Sequence, residues 1–511
     1  MEDARSGAGA AGRPSYGELQ GLVARLEARI IALDARIAEQ DALLLAEQQA
    51  RIAEQDERIA EQDRVIAELR ARLAANSKNS HNPPSSDGYG KPPPKDRSLR
   101  NSKGRKRGKQ TGAPGSHLPR REKPDETTVL PAGQCEGCGG DLTGAEVIGS
   151  EDRQVLDLPE MPKLRCVSYV AERRRCACGR ESCPAFPDGI KAPVQYGPRV
   201  RALGIYLVCY QHLPYLRACE LLTDWLGAPV SVGALHAWVA AGEKGLEGFL
   251  AELKEQLVAS EVLNVDETGM RTDGKLHWVH SASTDTLTHY HGDRRRGCEG
   301  ADKGGILARF GGTMVHDGWR AYRTYTNAAH ALCGGHHLRE LIAAEQDGQR
   351  WAGQMTLMLL DAKDTVQAAR QAGQSALEPS VLADQGDWYR EIIAAGLAEN
   401  PALQLPGRRR KTKAQNLLLR LQDQQTEVLR YTTDFKVPFD NNLAERDLRM
   451  IKIHQKISGG FRTTTGLDRF LAVRSYISTG RKQLQNTSGL LIALTTGNPW
   501  MPPPVSAPGT T

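Results

Sequence analysis

No window of about 18 consecutive apolar residues occurs in the 511-residue chain, so a membrane-spanning helix is not expected. The opening stretch MEDARSGAGAAGRPSYGELQ lacks a basic start followed by an apolar run, so no export leader is read there. No serine, cysteine or tyrosine stands in a setting that marks a nucleophile, so a covalent protein intermediate is not expected. The ten cysteines lack even spacing, and six of them fall between residues 135 and 183. Without an export signal, that clustering favours metal over disulfides.

What is present suggests about three domains by length. Apolar residues make up 40% and charged residues 25%, so most of the chain can fold around cores. The net charge is only +6, but residues 91–125 carry 12 basic and 3 acidic side chains, a local excess of 12 − 3 = +9. Such an excess points to a polyanion, most often nucleic acid.

Residues 15–75 read as a coiled coil. RIAEQD occurs at 36, 51 and 58, and Leu45, Ile52, Ile59, Ile66 and Leu73 recur at spacing 7. Gln48, Gln55 and Gln62 occupy the second seam row and weaken it. A single solvated helix is the plainer reading; oligomerisation is preferred. Residues 76–130 are rich in Pro, Gly, Ser and basic side chains, a composition that buries no core. Within them GRKRGKQ, with Arg105, Lys106 and Arg107, suits phosphate contacts that read no sequence. In residues 131–190, Cys135 and Cys138 precede Cys176 and Cys178, a pattern for a structural zinc ion held by four sulfurs. Cys183 could replace Cys178, Cys166 could join, and reduced buried cysteines are the plain alternative. In residues 195–255, RACELLTDWLGAPVSVGALHAWV fits a helix-turn-helix with Gly227 in the turn and Ser231 as N-cap. A plain helical hairpin fits nearly as well.

Residues 256–485 read as the catalytic domain. VLNVDETGM, KLHWVHSAST and TLTHYHG suggest three strands, the first two joined by the turn RTDGK. GGTMVHDGWRAY suggests a fourth strand ending in Asp317, and HALCGGHHLREL a fifth leading into a helix. A helical insertion is expected at about 345–430. PFDNNLAERDLRMIKIHQ then places Glu445 in the first turn of a helix, with Asn442 and Glu445 in capping-box spacing. Asp266, Asp317 and Glu445 in this order match the ribonuclease H fold, whose three acids hold two Mg²⁺ ions for phosphodiester chemistry. Hard oxygen ligands suit Mg²⁺. Helical spacing sets Arg449 and Lys452 on the Glu445 side, as candidate phosphate contacts. Residues 486–511 read as a tail. The fold expected is multidomain α+β.

From about residue 15 to 500, the chain resembles transposases of the insertion sequence 66 family. The carriers are NSKNSHNPPSSD, GRKRGKQTGAPGSH, the cysteine pairs, HLPYLRACELL, VDET, HDGWRAY, CGGHHLREL and DNNLAERDLRMIKIHQKISGGFRT. The resemblance implies an Asp266–Asp317–Glu445 triad using Mg²⁺ or Mn²⁺, with structural Zn²⁺ at Cys135, Cys138, Cys176 and Cys178. It implies that Cys333, His336 and Arg339 form a Cys-x-x-His-x-x-Arg pattern beside the active site, where His336 and Arg339 face phosphate. The partners implied are the element's terminal inverted repeats, target DNA, further copies of the chain and possibly small accessory proteins. A bacterial cytoplasmic, nucleoid-associated location follows from the same resemblance. Three features depart from the family: Gly334-Gly335 stands where Trp-Ala is usual, Glu340 where a second basic residue is usual, and the second cysteine pair is one residue shorter. The competing readings are a DNA-binding regulator with an inactive nuclease domain and a metal-dependent DNA nuclease.

Overall fold

The computed structural model describes residues 120–157, 164–401 and 411–504 in full, residues 403–405 and 408–410 as backbone, and residues 48–59 with isolated positions on either side. The chain divides into two units, Met1–Asp87 and Gly88–Thr511. In the first, residues 48–59 are helical. Leu45, Ile52, Ile59 and Ile66, all in the spacing-7 row, are exposed. The remainder of the expected coiled coil lies outside the described residues, as do Arg105, Lys106 and Arg107.

The second unit is built on a five-stranded sheet. Its strands are β1 (Val262–Thr272), β2 (Lys275–Ser283), β3 (Thr288–Asp293), β4 (Thr313–His316) and β5 (Ala329–Leu332), in the order β3-β2-β1-β4-β5. β1 runs antiparallel to β2 and parallel to β4, and β4 runs parallel to β5. The two-residue turn Asp273-Gly274 has positive φ at both positions, the geometry that lets a short hairpin follow the strand twist.

Helices cover both faces. Before the sheet come α1 (Pro198–Ile205), α2 (Tyr215–Leu226), α3 (Val232–Gly245) and α4 (Glu247–Val258). After β5 comes α5 (Gly334–Gln346), then the insertion with α6 (Arg350–Gln371), α7 (Pro379–Glu399) and α8 (Lys413–Asp423). The chain returns through α9 (Asn442–Ser458), α10 (Thr464–Lys482) and α11 (Thr487–Thr495).

Successive strand residues point to opposite faces, and β4 shows the result. Met314 joins one core with Leu222, Leu235, Phe249, Ile477 and Leu490, whereas Val315 joins a second core with Trp351, Met355, Tyr389 and Leu418. Burial on both faces is the usual state of parallel strands. The first core runs without a break from α1 to α11, so the helices expected as a separate DNA-binding region pack directly on the catalytic sheet. Residues 487–495, expected within a tail, form a helix whose Leu490, Leu491 and Leu494 are buried in that core.

The helix-turn-helix stretch has the local features read from sequence. Gly227 ends α2 with φ 59°, and the Ser231 hydroxyl accepts the Ala234 N–H at 3.1 Å. α3 continues past Trp238 to Gly245, burying Leu235, Val239 and Gly242 and leaving His236 and Ala237 exposed.

Candidate active site

Asp266 lies in the middle of β1, opposite Ser281 of β2. Asp317 follows β4 directly, and its Oδ1 accepts the Trp319 N–H at 2.8 Å, so this side chain also shapes the turn. Glu445 stands in the first turn of α9. That helix packs on β1 and β2, with Ala444, Leu448 and Ile451 turned inward.

Asn441 anchors the start of α9. Its Nδ2 donates to the Val265 carbonyl at 2.8 Å, and its Oδ1 accepts from Asn264 Nδ2 at 2.8 Å. Its backbone N–H donates to the Cys333 sulfur at 3.1 Å. One buried amide thus ties the helix of Glu445 to the strand of Asp266 and to the end of β5. This corrects the expected capping box: the N-cap position belongs to Asn441, whose side chain is engaged with the sheet, and Asp440 Oδ1 accepts the Asn442 N–H at 3.1 Å.

The electrostatics link the three acids. Burial holds the Asp266 carboxyl well above the usual carboxylate range, and the charges of Glu267 and Asp317, with a smaller share from Glu445, push it further. The three carboxylates do not close into a cluster with all ligand atoms within 4.8 Å; among the described residues the group that does is Cys333, His336 and Glu445. The reason is visible at Glu445. Arg339 Nη2 donates to its Oε1 at 3.1 Å, and His336 Nδ1 lies 3.8 Å from the same oxygen. Of the two residues expected to face phosphate, Arg339 therefore holds the third acid and His336 lies beside it. The repulsion of Asp266 by Glu267 and Asp317 is of the kind that a bound cation would relieve, and carboxylate oxygens suit a divalent ion.

Lys452 has a different duty from the one read in the sequence. Its Nζ donates to the Gly269 carbonyl at 2.7 Å, because the face of α9 that carries it lies half-buried against β1. Arg449 is exposed. Cys333 is buried, and burial pushes its thiol up to about 12. It is therefore a thiol at neutral pH, and a thiol is a poor nucleophile.

Sequence reasoning missed a second layer. Glu267, 9% exposed, accepts from Tyr322 Oη and pairs with Arg296 at 2.7 Å. The Arg296 guanidinium lies between Trp278 and Trp319, at 4.8 and 4.4 Å from their ring centroids. Behind Asp317, a chain of neutral imidazoles is set by its partners. His316 Nδ1 accepts the Gly318 N–H at 3.0 Å, so its Nε2 donates to His330 Nδ1 at 3.1 Å, and His330 Nε2 donates to the Tyr325 carbonyl at 3.2 Å. HDGWRAY contains His316, Trp319 and Tyr322 together, so the signal was in the motif; what it touches was not.

The two cysteine pairs form matching turns. In the first, flanked by a bridge between Gln134 and Asp141, the Cys135 N–H donates to the Gly140 carbonyl and the Gly139 N–H to the Cys135 carbonyl. In the second, flanked by short strands at Arg174–Arg175 and Glu181–Ser182, Cys176 N–H meets the Arg180 carbonyl and Gly179 N–H the Cys176 carbonyl. Gly139 and Gly179 both have positive φ. The second turn is the first with one residue removed. Backbone N–H groups of Cys138 and Gly137 lower the Cys135 thiol, and that of Cys178 lowers Cys176, as suits thiolate ligands. Among the described residues, no three of these sulfurs lie within 4.8 Å of one another. Cys183 donates to the Ala171 carbonyl at 3.8 Å.

The family model described as "Transposase IS66 family" matches residues 193–469, more than half of the chain, and spans all three acids. A family of unknown function (DUF6444) matches residues 13–119. No curated protein matches the chain. With Asp266, Asp317 and Glu445 placed on adjoining elements inside the matched segment, the chain belongs to the IS66 family of transposases.

Proposed function

We propose that the protein is a DNA transposase that binds the ends of its own element and cuts and joins DNA with Asp266, Asp317 and Glu445 as metal-holding acids. The observation that carries this reading is the shared electrostatic neighbourhood of acids from the middle of β1, the end of β4 and the first turn of α9. The strand order β3-β2-β1-β4-β5, with an antiparallel half and a parallel half, supports a ribonuclease-H-like catalytic domain.

Divalent ions bound by these acids would supply the Lewis acidity for phosphodiester hydrolysis and transesterification. Water attacks phosphorus at the element end, the bond to the 3′ oxygen breaks, and a 3′ hydroxyl remains. That hydroxyl then attacks a target phosphodiester and displaces one of its oxygens. No protein nucleophile is required. The residues of this chain orient the acids and the DNA. Asn441 fixes α9 against β1, Arg339 holds Glu445 with His336 beside it, and the exposed Arg449 offers a phosphate contact on the same helix. The exposed spacing-7 row of the N-terminal helix supports pairing between copies, and the two cysteine turns support zinc. The exposed side of α3 supports DNA contact.

The test is cleavage of labelled element-end DNA in Mg²⁺ or Mn²⁺ by wild type and by Glu445→Gln. Cleavage by wild type alone is expected. Equal cleavage by both proteins would remove Glu445 from the mechanism.

A further inference from the structure

A second site lies away from the acids. A cavity of about 640 Å³ opens between α1, the π-helical turn Tyr206–Tyr210 that continues it, the end of α10 and the start of α11. None of its lining residues belongs to β1, β4 or α9, and none is acidic. Two exposed cations, Arg199 and Arg481, line it.

Its walls are built for an anion with an aromatic floor. The π turn places the rings of Tyr206 and Tyr210 with centroids 5.1 Å apart. Such turns cost regular hydrogen bonding and are common at functional sites. The guanidinium groups of Arg481 and Arg474 lie 5.1 and 5.4 Å from the Tyr210 centroid. Arg474, which is not among the lining residues, is 3% exposed and forms no ion pair among the described residues; its Nη1 donates to the Cys209 carbonyl at 3.5 Å and its Nε has no partner. A buried guanidinium without a carboxylate is costly. At the other wall, α11 begins with its N-terminus lining the cavity at Thr487 and Ser488. Thr487 is 7% exposed, and its hydroxyl has no partner. The Asn486 side chain caps this end by accepting the Gly489 N–H at 3.1 Å, and the positive end of the helix dipole still favours a phosphate there.

We propose that this cavity binds a backbone phosphate of the DNA on which the transposase acts, as an anchor separate from the three acids, between Arg199, Arg481 and the first turn of α11. The inference deepens the transposase reading and rests on it for the identity of the ligand. A free nucleotide carries the same phosphate chemistry, so the experiment separates the two sources.

The full chain is titrated with a labelled element-end duplex in EDTA, where no cleavage occurs, across a series of salt concentrations. Each phosphate contact contributes about 0.9 to the slope of log K against log salt, so the slope for Arg199→Ala with Arg481→Ala, which gives up one phosphate, should be shallower by about 0.9. Lysine at both positions should restore it. Thr487→Val should bind about tenfold more weakly, as expected for losing a hydrogen bond to a charged group. Its melting temperature should not fall, because an unpaired buried hydroxyl is removed. Lys275→Ala with Arg350→Ala removes two exposed cations elsewhere and should leave the slope nearer that of wild type. An unchanged slope in the first double variant, or an equal loss in this control, overturns the proposal. If ATP binding is lost in the Arg199/Arg481 variant while the DNA slope is kept, the cavity takes a free nucleotide and the DNA assignment falls. Because binding is read without metal, failure here is distinct from failure of Glu445-dependent cleavage.

Discussion

Asp266 is held in a setting that disfavours its own charge, and this is the usual cost of a metal-binding acid. Asp266→Asn should therefore raise the melting temperature in EDTA, by about 2 °C or more if about 1 kcal/mol of repulsion is removed, while abolishing cleavage. Mg²⁺ or Mn²⁺ should stabilise wild type and leave the variant unmoved. A lower melting temperature for the variant in EDTA would show that the neighbouring acids do not repel Asp266. Burial pushes Glu267 up as well, but this acid has dedicated donors in Tyr322 and Arg296. Tyr322→Phe strips one of them, and an unmet buried acceptor costs about 1–3 kcal/mol. Urea unfolding should show that loss; no change in midpoint would place the Tyr322 hydroxyl outside the stability of the site. Asp266, Asp317 and Glu445 stand out in the sequence by residue type and order, and the cleavage assay tests their role. Glu267, Arg296 and the His316–His330 pair were not, because their meaning lies in partners distant in the chain.

At the scale of elements, α9 is the clearest example of what packing adds. The sequence places a helix start before Glu445, but two adjacent asparagines compete for its first position. The sheet decides between them, because Asn441 alone meets Asn264, Val265 and Cys333. Asn441→Ala should destabilise the fold by about 2–3 kcal/mol, the cost of leaving these groups unpaired. It should also slow cleavage, because the helix of Glu445 loses its tie to the strand of Asp266. Equal cleavage rates would separate the tie from catalysis. The neighbouring glycine departure has a local reason. A Cβ on Gly334 would lie 2.4 Å from the Phe439 ring, so the Trp-Ala usual in the family cannot be accommodated without moving that ring. The SGGF stretch after α9 is similar: a Cβ on Gly460 would lie 2.5 Å from the Arg271 carbonyl, where Phe461 N–H and carbonyl bond the end of β1. The five strands were readable from apolar runs and turns. The length of α3 was not, because how far that helix runs depends on the α10 and α11 that pack against it.

Across the whole molecule, buried histidines couple the fold to pH. Burial pushes His212 and His316 down to about 3 and His291 and His454 down to about 4. In the unfolded chain these imidazoles take up protons near pH 6.5. Since the unfolded state then binds more protons, stability is unaffected above about 6.5 and falls as pH drops towards 4, by up to about 1.4 kcal/mol per pH unit for each histidine. Urea midpoints at pH 7.5, 6.5, 5.5 and 4.5 check this; a flat series would mean that the imidazoles charge within the fold. The cysteine turns make a separate prediction. If both grip one ion, purified protein should carry one zinc per chain and release it on thiol modification. Metal-free protein with all four thiols reactive would assign them as plain reduced pairs.

Residue type and short spacing made the family, the succession of strands along the chain and the local turns around cysteine and glycine readable, and they raised Asp266, Asp317 and Glu445 as the expected triad. Burial in three dimensions set the rest: α1–α4 and α11 share one core with the sheet, Lys452 serves the Gly269 carbonyl, and Arg339 donates to Glu445. It also brought Arg199, Arg481 and Thr487 to one cavity from segments nearly 300 residues apart. Such contacts are set by which faces burial brings together, and no local pattern in the chain encodes that.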